Sequence, residues 1–379
     1  MKSKKINFVV DHLDPKGQGV DKKGDKITFI PKVLPSEAGE AEIVSGKKGV
    51  QFAQITQINK KSPIRTESEC IHYDKCPGCH YLHTSHDQEM IFKKSSLEQI
   101  WNRFPKIKTH FNLKEGFQAP TRFHYRNRIQ LHYNTIKRQF GYQTRKDDIL
   151  PISQCLLPLN SITTIVSTWS INNKWLSELP AGQPAKGHVE FYDKNNDGDV
   201  TISWNQSYAD SGFTQVNPVM NERFLKYLTN CLSTLISQCP HKHVLDLFGG
   251  NGNLSKGLKD CEVLVIDLPK SLPMPNTNQT YFSLDLYSPE AIENLQLQTP
   301  HSPDLIILDP PRSGFTDLDR LVNHYHPQYL LYVSCDAFTQ TRDLEKIMDQ
   351  YSLEELTLWD FFPGTFHFET VAILKRKNK

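Results

Sequence analysis

The alternation of apolar and polar positions changes character along the chain. Near the N-terminus short apolar runs alternate with turn residues: INFVV at 6–10, a glycine turn at Gly17–Gly19, KITFI at 26–30, EAEIV at 40–44 and VQFAQITQI at 50–58. Short strands packed this densely predict a small closed β-barrel of the OB type, a form that often binds nucleic acid but serves equally as a structural module. Between Gln88 and Phe104, Ile91, Leu97, Ile100, Trp101 and Phe104 recur at helical spacing, which predicts a helix bridging two domains. From about His243 the pattern becomes one of buried strands separated by polar helical stretches: VLDLF, VLVIDL, YFSLDL, DLIILDPP, YLLYVSC, LTLWDFF and ETVAILK. Such runs, several ending in Asp or Cys, predict an α/β domain on a mostly parallel sheet, with functional side chains at the C-terminal ends of its strands.

A length of 379 residues allows two to three domains. With 38% hydrophobic and 23% charged residues, collagen-like, coiled-coil and wholly disordered readings are excluded. No run approaches the roughly 18 to 20 apolar residues of a membrane helix. Met1–Asn7 is lysine-rich without an apolar signal region behind it. A cytoplasmic monomer without a membrane partner is expected.

The net charge of +2 is unevenly spread: residues 1–65 hold thirteen Lys/Arg against seven Asp/Glu, and 121–146 hold seven and none. That second stretch interleaves Phe123, Tyr125, Tyr133, Phe140 and Tyr142 with its cations, a composition suited to phosphate contact and base stacking and equally to a solvated strand pair.

Eight cysteines are too few for a disulfide scaffold in a chain of this length. Cys70, Cys76 and Cys79 lie in ECIHYDKCPGC, and Cys155 follows in ISQCLLP. Three clustered thiolates and one remote one can hold an iron–sulfur cluster or a tetrahedral zinc, with His72, His80 or His83 able to replace Cys155 in the zinc case. Further on, VLDLFGGNGNLS at 244–255 is a strand and a glycine-rich turn in which Gly249, Gly250 and Gly252 allow close approach of a ligand, without dinucleotide spacing. Asp267, ending the next strand, can accept both hydroxyls of a ribose, which suits an adenosine ligand such as S-adenosylmethionine. Asp309 opens DPPRSG at another strand end. Cys335 ends YLLYVSCD, where a thiol is either a small core residue or a nucleophile. Glu369 on the last strand would turn that thiol into half of a nucleophile and base pair.

Taken together, these residues resemble the RNA uracil-5 methyltransferases of the 23S ribosomal RNA type, and the resemblance spans essentially the whole chain. It implies that 1–58 is a TRAM barrel, that 59–205 is a small α/β iron–sulfur and RNA-binding domain, and that 206–379 is a Rossmann-like methyltransferase domain. It implies Cys70, Cys76, Cys79 and Cys155 as ligands of a [4Fe-4S] cluster, structural or RNA-holding since the reaction has no redox step. HYRNR at 124–128 resembles the family's RNA-facing segment, and FTQVNP at 213–218 its cofactor motif, with Gln215 on S-adenosylmethionine. Phe248, Gly250 and Asn253 follow as cofactor neighbours, Asp267 on the ribose, Asp285 near the adenine and Asp309 near the methionine end, with Cys335 as nucleophile and Glu369 as general base. The chemistry implied is addition of the Cys335 thiolate to uracil C6, methylation at C5, and proton removal by a Glu369 ionised near neutral pH, on a base flipped from its stack.

The sequence departs from the family after Asp267, where LPKSLPMPNTNQTYFSLDLY carries three prolines in place of a longer helix. The same chemistry on transfer RNA is the alternative substrate. A non-catalytic RNA-binding scaffold is the alternative class, against which the pairing of Cys335 with Glu369 argues.

Overall fold

The structure is a computed structural model that describes residues 4–144, 148–207, 215–268, 278–299 and 301–378. The chain divides into two units, one of Met1–Lys93, Ala119–Val219 and Phe361–Phe366, the other of Lys94–Gln118, Met220–Asp360 and His367–Lys379.

In the first unit, strands β1 (Lys5–Val9), β2 (His12–Leu13), β3 (Gln18–Asp21), β4 (Ile27–Pro31), β5 (Ala38–Lys47) and β6 (Val50–Lys60) form one sheet in the order β1-β5-β6-β4-β3-β2. Its two outer strands, β1 and β2, are consecutive pieces of one chain segment, so the sheet curls until a single stretch lines both edges. Alternation along the strands points Phe8, Val10, Ile30, Ala41 and Ala53 into the centre of the curl.

Helix α1 (His86–Trp101) follows, then β7 (Leu113–Phe117). Leu97, Ile100 and Trp101 are buried as their spacing predicts, but Ile91 is 56% exposed and the helix ends before Phe104. Glu89 and Lys93, one turn apart, occupy the buried face instead, joined at 2.8 Å. Two buried opposite charges require further partners. Glu89 receives Arg122 at 3.0 Å and the Gly364 N–H at 2.7 Å, and Lys93 donates to the Phe362 carbonyl at 3.2 Å. An ion pair that satisfies itself on the inner face displaces the isoleucine outward, which the periodicity of apolar residues does not reveal.

Strands β8 (Arg128–Asn134), β9 (Gln139–Gln143), β10 (Ile149–Pro151), β11 (Lys186–Asp193) and β12 (Val200–Trp204) make an antiparallel sheet in the order β10-β9-β8-β11-β12. Helices α2 (Asn160–Ser170) and α3 (Trp175–Glu178) supply Trp169 and Trp175 to a core with Leu131, Tyr133, Phe140 and Phe191.

The second unit holds α4 (Pro218–Ser237), with Met220, Phe224, Leu228, Leu232 and Ile236 buried along one face. All seven apolar runs beyond His243 are strands: β13 (His243–Leu247), β14 (Glu262–Asp267), β15 (Gln279–Ser283), β16 (Leu305–Leu308), β17 (Tyr329–Ser334), β18 (Tyr351–Trp359) and β19 (Glu369–Arg376). Helices α5 (Ala291–Gln298), α6 (Leu318–Tyr325) and α7 (Ala337–Glu345) intervene. The sheet runs β15-β14-β13-β16-β17-β19-β18-β7, with the first five strands mutually parallel and β19 antiparallel to both its neighbours. No helix among the described residues is long and apolar enough to cross a membrane. The proline-rich stretch expected to replace a helix after Asp267 falls at 269–277, outside the described residues.

Candidate active site

The parallel strands deliver Asp246, Asp267, Asp309 and Cys335 to one end of the sheet. Because β19 runs the other way, its first residue lies at that same end: Ser334 pairs with Thr370, and one step further Cys335 comes opposite Glu369. Gln340 of α7 fixes this register by donating to the Tyr332 carbonyl at 2.8 Å and accepting from the Thr370 hydroxyl at 2.8 Å, all three groups being buried.

The thiol and the acid sit in a poorly solvated corner. Burial pushes the Cys335 thiol up to about 11, with Glu369 and Asp309 adding to the rise and the charge and hydrogen bond of Arg312 opposing it. Burial likewise holds Glu369 well above the usual carboxylate range, again with Asp309 raising and Arg312 lowering it. The free protein therefore favours the protonated form of Glu369 more than an exposed glutamate does. Desolvation of the fully enclosed carboxyl is the cause.

Asp309 is brought to about 7 by burial and by the charges of Asp246 and Asp267, and Asp246 to about 7 by burial and by Asp267 against its bond from Ser255. Asp246 accepts Ser255 Oγ at 2.6 Å through one oxygen, while its other oxygen is buried without a hydrogen-bond partner. Three carboxyls that repel one another favour a cationic guest.

The glycine turn is built as its sequence requires. A side chain at Gly249 would meet Val265 at 2.6 Å, and Gly252, at φ +68, would meet Gln279 at 2.7 Å. The Gly250 N–H donates to Asp267 Oδ2 at 2.7 Å, and the Leu268 N–H to Oδ1 at 2.6 Å, so the carboxylate at the end of β14 is tied to the turn. Phe248 holds a left-handed backbone, φ +59, and packs on Tyr287 at 5.4 Å and Phe315 at 5.5 Å. Asn253 and Asp285 are exposed, Asp285 accepting the Tyr287 N–H at 2.9 Å. Gln215 belongs to the first unit, where its Oε1 accepts the Val216 N–H at 3.1 Å; Phe213 and Thr214 of its motif are outside the described residues.

Arg312 and Asp246 are the two site residues that the sequence reading missed. Both had a signal: an arginine inside DPPRSG, and an aspartate interrupting an otherwise apolar strand. The loop bearing Arg312 is clamped by α7. Asp343 accepts the Phe315 N–H at 2.7 Å and Tyr332 Oη at 2.8 Å, and Arg342 donates to the Ser313 carbonyl at 2.8 Å. Gly314, at φ +72, leaves no room for a Cβ against Asp343 and Arg342, which stand 2.4 Å and 2.6 Å from its position.

In the first unit Cys70, Cys76, Cys79 and Cys155 line one cavity of about 70 Å³. Burial raises the thiols of Cys76, Cys79 and Cys155, and neighbouring cysteines add to each rise. Tyr142 Oη donates to Cys155 Sγ at 3.4 Å, the Gly78 N–H to Cys76 Sγ at 3.5 Å, and Lys32 Nζ to the Cys76 carbonyl at 2.8 Å. Of the three histidines, His72 lines the same cavity and bonds Ser153 at 3.1 Å, while His83 meets Tyr73 Oη at 2.5 Å and His80 lies edge-on to Phe366 at 4.6 Å. Among the described residues no three His, Cys, Asp or Glu side chains are grouped tightly enough to hold a metal ion.

The tRNA (Uracil-5-)-methyltransferase family model matches residues 290–377. A 23S rRNA (uracil(1939)-C(5))-methyltransferase of Shewanella sediminis is 25% identical over 98% of this chain and 96% of its own length. An uncharacterized RNA methyltransferase of Bdellovibrio bacteriovorus is 27% identical over 98% and 95%. Among solved structures, the Pyrococcus abyssi tRNA (uracil-54, C5)-methyltransferase in complex with S-adenosyl-L-homocysteine superposes with a TM-score of 0.71 at 18% identity, covering 97% of this chain and all of that one, a likeness of fold.

Proposed function

We propose that the chain is an RNA uracil-5 methyltransferase, similar to the family whose model matches residues 290–377 and to the 23S rRNA enzymes it aligns with, and that it uses S-adenosylmethionine to methylate C5 of a uridine in 23S ribosomal RNA. The observation that carries the chemistry is the proximity of Cys335, one residue past the end of β17, to Glu369 at the start of β19, beside Arg312 and Asp309. The ribosomal substrate rests on relatives that align end to end with this chain and are named for it.

S-adenosylmethionine supplies a sulfonium methyl group, and the Asp246, Asp267 and Asp309 carboxyls favour its positive charge, with Phe248, Gly250, Asn253 and Asp285 as further neighbours. Cys335, its thiolate stabilised by Arg312, forms the Sγ–C6 bond; the displaced C5=C6 electron pair then attacks the methyl carbon, whose bond to the sulfonium sulfur breaks with its electron pair remaining on the departing neutral thioether. Glu369 then takes the C5 proton, C5=C6 re-forms, and the Sγ–C6 bond breaks to release 5-methyluridine. Cys335 and Glu369 must both lose a proton to act, and both are held above their ordinary values. Initial rates are therefore expected to climb with pH from 6 to 9 without a neutral maximum. Arg312→Leu is expected to move that climb to higher pH, and overlapping profiles for the two proteins would dismiss the arginine's role.

The four cysteines fit a [4Fe-4S] cluster in a central domain at 59–205, between a TRAM barrel at 1–58 and the methyltransferase domain at 206–379. Thiols spread round a cavity suit a polynuclear centre, whereas a lone zinc needs all its sulfurs within about 2.3 Å of one point. Anaerobically purified protein is expected to bind about four irons and absorb broadly near 400 nm, and Cys79→Ser to lose both. Stoichiometric zinc with no visible absorption would replace the cluster in this account.

The test of the whole reading is transfer of labelled methyl from S-adenosylmethionine to unmodified 23S and transfer RNA in parallel, followed by nucleoside mapping. Label in 5-methyluridine of 23S RNA is the expected result. Label in transfer RNA alone keeps the chemistry and reassigns the substrate, and label in neither overturns catalysis.

A further inference from the structure

The central sheet has two unlike faces. One carries Leu131, Tyr133, Phe140, Val189 and Phe191 into the core. By strand register, His132 opposite His188 and Asn134 opposite both Gln139 and Lys186 share the other face. With Gln143 these six side chains line a cavity of about 260 Å³, remote in the sheet from the thiols, which lie against the core face.

Three observations point to a ligand there. The Gln139 side-chain oxygen is buried and has no hydrogen-bond partner, an unsatisfied acceptor whose cost a donor from outside would remove. The imidazoles of His132 and His188 stand 6.1 Å apart at 56°, and His188 Nε2 is committed to the Gln206 carbonyl at 2.8 Å, which leaves its Nδ1 as an acceptor. At the lip, the hairpin between β8 and β9 presents Ile136, 78% exposed, next to Arg138 and to Lys137, whose ammonium is paired at 3.2 Å with Asp148 of the cavity wall. Its turn is fixed by the Lys137 N–H on Asn134 Oδ1 at 3.0 Å and by Arg138 at φ +52. An isoleucine held outward on a rigid basic turn has no role in the core.

Amide and imidazole groups, which offer donors and acceptors together, match the edge of a nucleobase, while the lip supplies cations for a sugar–phosphate backbone and an apolar wedge for a base step. The volume is below the roughly 300 to 1,000 Å³ of drug-sized pockets and suits one base. We propose that this cavity receives an unpaired nucleobase of the RNA substrate other than the uridine to be methylated, with Ile136 packed against the neighbouring base and Lys186 on the backbone. This rests on the RNA methyltransferase reading above and adds a second recognition point to it.

The test uses the full-length holoprotein and the RNA that accepts label. Gln139→Ala, Ile136→Ser and Lys186→Glu should each raise KM for RNA about tenfold, with kcat at saturating RNA within about twofold of wild type. 4-Thiouridine-substituted RNA should cross-link to peptides spanning 129–143 or 186–188. Variants with wild-type KM, together with cross-links only elsewhere, would overturn the site while wild-type turnover leaves the methylation reading standing. Absence of label from every RNA with the wild type would instead remove that reading, and this site with it. Lys186 and Ile136 are exposed, so melting temperatures equal to wild type will confirm that those variants fold.

Discussion

Cys335→Ala should abolish methyl transfer, with a fall of at least about a thousandfold, while RNA affinity stays within a few-fold of wild type. Removal of the thiol leaves C5 of uracil without the electron density that methylation needs, and no neighbouring group can replace it: Asp309 and Glu369 are acids held above their ordinary values, and Arg312 is a cation. The substitution deletes one partly buried sulfur at the end of β17 and leaves the register set by Gln340 and Thr370 in place. Folding should be intact, which circular dichroism will check. Single-turnover assays with labelled S-adenosylmethionine read the chemistry, and filter binding reads affinity. Methylation at the wild-type rate would end the nucleophile assignment.

Glu369→Gln should separate the two halves of the reaction. Glutamine has the shape of a protonated glutamate, the form that burial favours in the free protein, so addition by Cys335 and methylation should proceed. Without a proton acceptor the methylated base then remains attached to Sγ. A denaturing gel should show an RNA-shifted band that accumulates as turnover falls by about a hundred- to ten-thousandfold. Multiple turnover with no shifted band would assign proton removal to another group. The same substitution has a second readout. Because the folded-state value of Glu369 lies above that of the unfolded chain, wild-type stability declines as pH rises past the ordinary glutamate range. The glutamine variant lacks that decline, so the stability difference between the two should shift in its favour as pH rises.

The seven late strands were readable because buried parallel strands are apolar from end to end and terminate in the polar residues that serve the site. The placement of Cys335 and Asp309 at strand ends was readable for the same reason. Local pattern fails where the determinant is distant in sequence. β7 reads LKEGF, with charges and a glycine, and is a strand because β18 offers it an edge some 240 residues later. Periodicity points Ile91 inward because it counts apolar residues and does not weigh a self-satisfied Glu89–Lys93 pair. The charge state of Glu369 depends on enclosure, and sequence does not report enclosure. Arg312 and Asp246 gain meaning only when several strand ends are brought side by side.

The edge position of β7 has a consequence for the making of the protein. Its sheet partner is β18, and Phe117 lies stacked 3.9 Å from Trp359. During translation β7 leaves the ribosome well before that partner exists. At about 5 to 20 residues per second, the roughly 230 residues between them take on the order of ten to fifty seconds to synthesise. For that interval the nascent chain displays an open strand edge and a bare aromatic ring, the combination that recruits chaperones and promotes association between neighbouring chains. Yield in the cell should thus be governed by how that one strand is sheltered while the rest of its sheet is still being translated.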